Sequence, residues 1–223
     1  VLETQEVKRH FEEIAEQYDY WKDKNKYYYE EIKRFLRSQI PPAKKVLDVG
    51  CGTGSLLAAL EPSRGVGVDL SERMVQIAQR KFPELTYLVG ECERLQLSET
   101  FDYVILVDLL DHISDLHSSF SSLKRMMTKD SKLVLLTANP KWDSVLKWAE
   151  KWQMKMPEGP NRFVPIQEAV DVFEDLNFRI LERGFRLFLP KKIPFISSFF
   201  NAWVPKTPIL KEFCLIQYLI VSC

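Results

Sequence analysis

The chain has 223 residues, 46% of them hydrophobic, and its 31 basic side chains balance 31 acidic ones. Such a length supports one α/β domain with additions and a sizeable buried core, and the balanced charge argues against a surface that tracks nucleic-acid phosphates, so no nucleic-acid partner is expected. No run of about 20 apolar residues and no signal-like leader is seen, and Cys51, Cys92, Cys214 and Cys223 form no Cys-x-x-Cys pair. The expectation is a cytoplasmic protein with reduced, mostly buried thiols, without zinc or disulfides.

From Glu3 to about Gln39 the pattern is helical and rich in aromatics, with Phe11, Ile14, Tyr18 and Trp21 three or four residues apart on one face. It stops at Ile40-Pro41-Pro42. Strands are then predicted at Lys45–Val49, Gly65–Asp69, Leu85–Val89, Tyr103–Val107 and Lys132–Thr137, alternating with helices near Leu56–Leu60, Glu72–Lys81 and Leu116–Met127. This alternation predicts right-handed crossovers and a doubly wound parallel sheet, whose ligands sit outside the carboxyl ends of the central strands. Beyond Asn139-Pro140 the prediction is an amphipathic helix over Trp142–Met154, a loop at Pro157-Glu-Gly-Pro160 and a helix over Pro165–Leu176. Two long strands, Phe178–Leu189 and Glu212–Val221, then complete the sheet as an antiparallel pair. The prolines at 190, 194, 205 and 208 exclude one long helix between them.

The most informative segment is Val46-Leu-Asp-Val-Gly-Cys-Gly-Thr-Gly54, an apolar strand joined to a helix through a turn nearly without side chains and headed by Asp48. Gly50, Gly52 and Gly54 let a ligand approach the backbone closely, and the first N–H groups of the helix face whatever rests there. A dinucleotide fingerprint needs Gly-x-Gly-x-x-Gly; here the third glycine comes one residue early and Ser55 takes the sixth position. A pyrophosphate would also lie close to Asp48, whereas a ligand bearing an ammonium and a sulfonium is favoured by that carboxylate.

This segment resembles the first motif of class I methyltransferases that use S-adenosylmethionine (SAM). The resemblance implies a Rossmann-like, mostly parallel seven-stranded sheet with a C-terminal antiparallel hairpin. It also implies one domain, in which residues 1–42 form a helical flap, 43–140 the cofactor-binding core and 141–223 the acceptor side. An NAD-dependent oxidoreductase and a noncatalytic SAM-binding scaffold stay open as alternatives.

Asp69 ends the second predicted strand, where a carboxylate can accept from both ribose hydroxyls; capping of the next helix is left to Ser71, which stands directly before the periodic run. In the resembled family an acid after the third strand meets the adenine amino group and the next backbone N–H meets the ring, which implies Glu91 and Cys92 here, although Glu91 also reads as a solvated loop acid. Leu70 and Met74 are candidate adenine walls or core. Val107 and Asp108 end the fourth strand and should face the transferable methyl group. His112, flanked by Asp108 and Asp111, is either a general base or a structural histidine. Cys51 belongs to the turn itself, and Tyr18 resembles a flap tyrosine that covers the cofactor, or simply packs. Asp108 and Asn139 could in principle approach Mg²⁺, but a hard cation wants several converging carboxylates, so no metal is expected.

Methyl transfer by in-line displacement needs alignment more than acid or base, and positioning alone supplies roughly 7–11 kcal/mol. A hydroxyl acceptor needs a base, for which His112 and Asp108 are candidates. The segment from Gly184 through Phe199-Phe-Asn-Ala-Trp203 to Tyr218 resembles the tail of bacterial methyltransferases associated with surface-polysaccharide synthesis, which implies a small-molecule, glycan or lipid-linked acceptor, at oxygen. Residues 190–210 carry Lys191 and Lys192 among large apolar side chains. They read as a lid, a dimer contact or a peripheral membrane contact.

Overall fold

The computed structural model describes residues 3–223. Seven strands form one sheet in the order β3-β2-β1-β4-β5-β7-β6: β1 Lys45–Val49, β2 Arg64–Asp69, β3 Thr86–Val89, β4 Phe101–Val107, β5 Met127–Ala138, β6 Arg179–Arg186 and β7 Ile216–Ser222. Strands β1 to β5 pair in parallel, and β7 runs antiparallel between β5 and β6. The expected Rossmann-like seven-stranded sheet with its C-terminal hairpin is therefore present.

Alternation along the strands builds two cores. Leu47, Val49, Val66 and Val68 face one side, where Phe120 of α5 (Leu116–Lys124) stacks on Phe173 of α7 (Ile166–Asp175) with ring centroids 4.1 Å apart. Val46, Ile105 and Val134 face the other, against α2 (Lys26–Gln39), α3 (Ser55–Ala59) and α4 (Glu72–Lys81). With both faces covered, the central strands carry the continuous apolar runs typical of buried parallel strands. The order reverses between β1 and β4, where ligands of such sheets bind.

Several boundaries differ from the sequence expectation: β6 stops at Arg186, α5 at Lys124 and the helix that follows Trp142 at Lys151, each three residues early, and three further differences have a visible cause. The N-terminal helical segment is broken at Asn25 into α1 (Thr4–Lys24) and α2. There the Asn25 side chain donates to the carbonyls of Trp21 and Met154, both at 3.3 Å. Strand β5 begins five residues early, because Met127 pairs with Phe101 before a register shift. Strand β7 begins four residues late, because Leu210–Phe213 coils into a 3₁₀ turn. Asn139 holds that turn by donating to the Glu212 and Cys214 carbonyls at 2.8 and 2.9 Å. Its Oδ1 accepts from the Lys141 amide at 3.1 Å. The remaining helices are α6 (Asp143–Lys151) and α8 (Ile196–Trp203).

Candidate active site

Strand β1 hands the chain to α3 through the glycine turn. The amides of Gly50 and Cys51 both donate to the Val68 carbonyl of β2, at 2.8 and 3.0 Å. Gly50 and Gly52 adopt left-handed φ values of 76° and 52°, and an ideal Cβ would stand 2.9 Å from Leu109 Cδ1 at the first and 3.0 Å from Tyr18 Cε1 at the second. The turn thus presents bare peptide edge to a cavity. Gly54 serves packing instead, since a Cβ there would meet the Tyr87 hydroxyl at 2.4 Å.

Asp69 ties the second strand to the turn. Its Oδ2 accepts from the Gly52 amide at 2.8 Å and its Oδ1 from the Ser71 amide at 2.9 Å. Ser71 caps α4, as its hydroxyl accepts from the Met74 amide at 3.1 Å. Each Asp69 oxygen therefore keeps acceptor capacity toward the cavity it lines. Burial raises its pKa, against which the two amide bonds act.

Asp48 lies behind the turn, with 1% of its surface exposed and its Oδ2 without a hydrogen-bond partner among the described residues. Burial pushes its carboxyl up to about 7, with Lys22 the opposing charge. Lys22 is the functional candidate that sequence reasoning missed. One turn beyond Tyr18 on α1, its ammonium stands 4.5 Å from the Tyr18 ring centroid and 5.3 Å from that of Tyr29. Burial lowers its pKa, and Asp48 is the foremost charge holding it up. The i, i+4 spacing from Tyr18 was the available signal.

Helix α1 lies across this end of the sheet. Glu12 accepts from the Glu72 amide at 2.6 Å, at the positive start of α4, and Asp19 bridges Lys81 and the Thr53 hydroxyl, each at 2.7 Å. Beneath α1 the cavity is about 70 Å³, with Tyr18, Gly50, Gly52, Asp69 and Asp108 on its walls. Leu70, Met74, Cys92, Val107 and His112 join them. Cys51 is buried beneath the turn, and Glu91 lies 3.8 Å from Arg94 Nε and off the cavity wall, where Glu93 stands instead.

At the β4 end, Asp108 adopts φ 53° and accepts from the Tyr28 hydroxyl at 2.9 and 3.0 Å. Its side chain keeps exposed surface, and desolvation by the protein around it pushes its carboxyl up to about 6 against the Tyr28 bond. His112 Nδ1 lies 3.0 Å from the Pro160 carbonyl. A carbonyl only accepts, so Nδ1 carries a proton and the neutral ring keeps an unprotonated Nε2. Phe11 packs edge-on against that ring, centroids 5.2 Å apart, and burial lowers its pKa. The predicted loop around 157–160 is a wall of this region: Pro157 O meets His10 Nε2 at 3.0 Å, and Val164 N donates to Asp111 at 2.8 Å.

A doubly wound sheet with an antiparallel terminal pair, a glycine turn after β1 and an acid closing β2 defines the class I methyltransferase architecture. A family model described as a methyltransferase domain matches residues 20–183, more than half of the chain, and the chain belongs to that family. It is an enzyme that uses SAM, which removes the oxidoreductase alternative. Among curated relatives, a ubiquinone biosynthesis O-methyltransferase from Pelagibacter ubique is 24% identical over 75% of this chain and 80% of its own length. A dTDP-4-amino-2,3,4,6-tetradeoxy-D-glucose N,N-dimethyltransferase from Saccharopolyspora spinosa is 36% identical over 33% of this chain and 30% of its own. A SAM-dependent methyltransferase structure from Thermotoga maritima superposes with a TM-score of 0.76 over 97% of this chain and 99% of that one, at 20% identity, which shows the shared fold.

Proposed function

We propose that this enzyme methylates a hydroxyl group of a small-molecule or glycan acceptor, with His112 taking the proton. The observation that carries this reading is the His112 tautomer: Nδ1 is spent on the Pro160 carbonyl, and the remaining nitrogen is an acceptor in a ring that burial keeps neutral. A base of that kind suits a hydroxyl, which must lose a proton as it is methylated.

The residues present fit SAM. A buried carboxylate oxygen of Asp48 lacks a partner, and Gly50 and Gly52 form a cradle that a Cβ would fill. Asp69 would take the ribose hydroxyls, Leu70, Met74 and Cys92 the adenine, and the turn backbone with Lys22, Asp48 and Val107 the methionine end. When bound, SAM supplies a sulfonium-activated methyl group for in-line displacement. The chain aligns the acceptor oxygen near Asp108 and His112 and excludes water with Phe11 and Tyr18. A cavity of about 70 Å³ is far below the roughly 300–1,000 Å³ of small-molecule sites. Helix α1 is therefore assigned as a flap that swings outward at Asn25.

The test is a pH profile of methyl transfer from labelled SAM, with acceptors drawn from a fractionated extract. The expected kcat rises with pH through the depressed His112 pKa and then levels. Asp108 and Asp111, whose carboxyls are pushed up to about 6 and about 7, titrate nearby, so the comparison is with His112→Asn. That variant should lose about 10²–10⁴ in kcat and the acid limb with it, while KM for SAM holds. An unchanged rate and limb would assign His112 a structural role only.

A further inference from the structure

Helix α8 is amphipathic in the reverse sense for a soluble domain. Ile196, Phe199, Phe200 and Trp203, at i, i+3, i+4 and i+7, all face solvent, with Phe199 64% and Trp203 50% exposed. The inward face is polar. Ser197, 1% exposed, donates to the Lys191 carbonyl at 2.6 Å and accepts from the Ile193 amide at 2.8 Å. Asn201, one turn on, accepts from the Leu189 amide at 2.8 Å and donates to the Leu189 carbonyl at 3.0 Å and to the Tyr27 hydroxyl at 3.1 Å. Folding thus spends hydrogen bonds to hold an apolar stripe outward, which hydrophobic burial alone would not do.

Two further observations point the same way. Phe195, at the start of α8, is 93% exposed and sits at φ 62°, a conformation costly for a bulky residue and without a packing reward here. Ile209, 75% exposed, extends the same element beyond the helix. Charge then selects what covers these residues. From Leu187 to Lys211 the chain has Lys191, Lys192, Lys206 and Lys211 and no acid. A second copy in a two-fold contact would set this basic segment against the same basic segment of its partner, whereas an anionic lipid surface neutralises the lysines while its acyl region takes the aromatics.

We propose that α8 and its flanking segments dock this enzyme on an anionic lipid bilayer. No helix among the described residues is long and apolar enough to cross one, so the contact is peripheral. It also reaches the flap: Lys191 donates to the Asn25 side chain at 2.8 Å, and the same asparagine, between α1 and α2, holds the Met154 carbonyl beyond α6. The docked face is thereby continuous with the hinge of α1.

Sedimentation of the full chain with phosphatidylcholine vesicles, with and without phosphatidylglycerol, tests this. Anionic vesicles should bind at least tenfold more tightly than neutral ones, and raised salt should erase the difference. Phe195→Ser with Phe199→Ser should weaken that binding at least tenfold. Lys192→Ala with Lys206→Ala, both exposed and away from the hinge, should weaken it about 25-fold, from roughly fivefold per lysine. Both double variants should keep parental SAM affinity, which separates loss of docking from loss of fold or of the methyltransferase site. Equal or absent sedimentation with the two vesicle types would overturn the proposal. So would a dimer in light scattering that the double phenylalanine variant dissociates, since a second copy would then cover the face.

Discussion

Helices α1 and α8 carry the same kind of sequence signal, aromatic residues at helical spacing, and the fold uses them in opposite ways. In α1 the stripe that includes Val7, Phe11 and Tyr18 turns inward and lines the cavity. Its charged residues, Glu12 and Asp19, clip the helix to α4 and the glycine turn. In α8 the polar pair Ser197 and Asn201 turns inward and the aromatics face out. Periodicity says that a helix has two faces. Which of them is buried depends on what the neighbouring backbone needs, and beside α8 the strained approach from Leu187 to Phe195 needs hydrogen bonds more than it needs apolar contact.

The largest expected effect breaks the α1 side at its contact with the turn. Gly52→Val puts a branched side chain at a left-handed φ and into the Tyr18 ring, so SAM binding should be lost by more than a hundredfold in calorimetry while circular dichroism still reports the sheet. Unchanged affinity would show that no ligand approaches that peptide edge. Next is Asp48→Asn. Because the Asp48 carboxyl in the folded protein sits at about 7, well above its usual range, the folded state holds a proton that the unfolded chain gives up near pH 4. The parent therefore loses stability as pH rises from about 4 to 7. Asparagine removes that loss, so the variant's advantage in urea unfolding should grow across this window to on the order of a few kcal/mol, at the expense of SAM affinity. An advantage independent of pH would mean that Asp48 is ionised without strain. Asp69→Ala comes third, with SAM affinity down ten- to a hundredfold, about 1.4–2.8 kcal/mol. A loss under twofold would move the ribose elsewhere.

Much of the α1 half of this contrast was legible in the residues. Glycines at 50 and 52, Asp69 at a strand end and Ser71 at a helix start are local signals, each needing only its neighbours to be understood. Strands β1 to β4 were legible for the same reason, since buried parallel strands are short apolar runs between helices. What depends on distant backbone was not. Lys22 reads as a solvated lysine until the break at Asn25 folds α2 back and brings Tyr29 beside it. The start of β7 is delayed by Asn139 side-chain bonds spanning more than 70 residues. Position along the chain points to Glu91, while the acid that lines the cavity beside the short 3₁₀ turn over Cys92–Arg94 is Glu93. The outward stripe of α8 belongs to this second group, because only the placement of Leu189 and Tyr27 shows why Asn201 must face inward.

The smallest effects sharpen the contrast most, because they separate what holds α8 from what α8 displays. Asn201→Leu is nearly isosteric and more apolar, and if burial of apolar surface fixed this helix it would be harmless. It instead leaves the Leu189 amide and carbonyl and the Tyr27 hydroxyl without their partner. Unfolding in urea should then show a loss of about 1–3 kcal/mol. Phe199→Ser deletes a large aromatic, yet its ring already stands mostly in solvent, and the change should fall within about 0.5 kcal/mol. The reverse ranking, with serine costly at 199 and leucine tolerated at 201, would mean that α8 packs through its aromatics. The outward stripe would then be ordinary core, and a lipid surface would have no reason to find it.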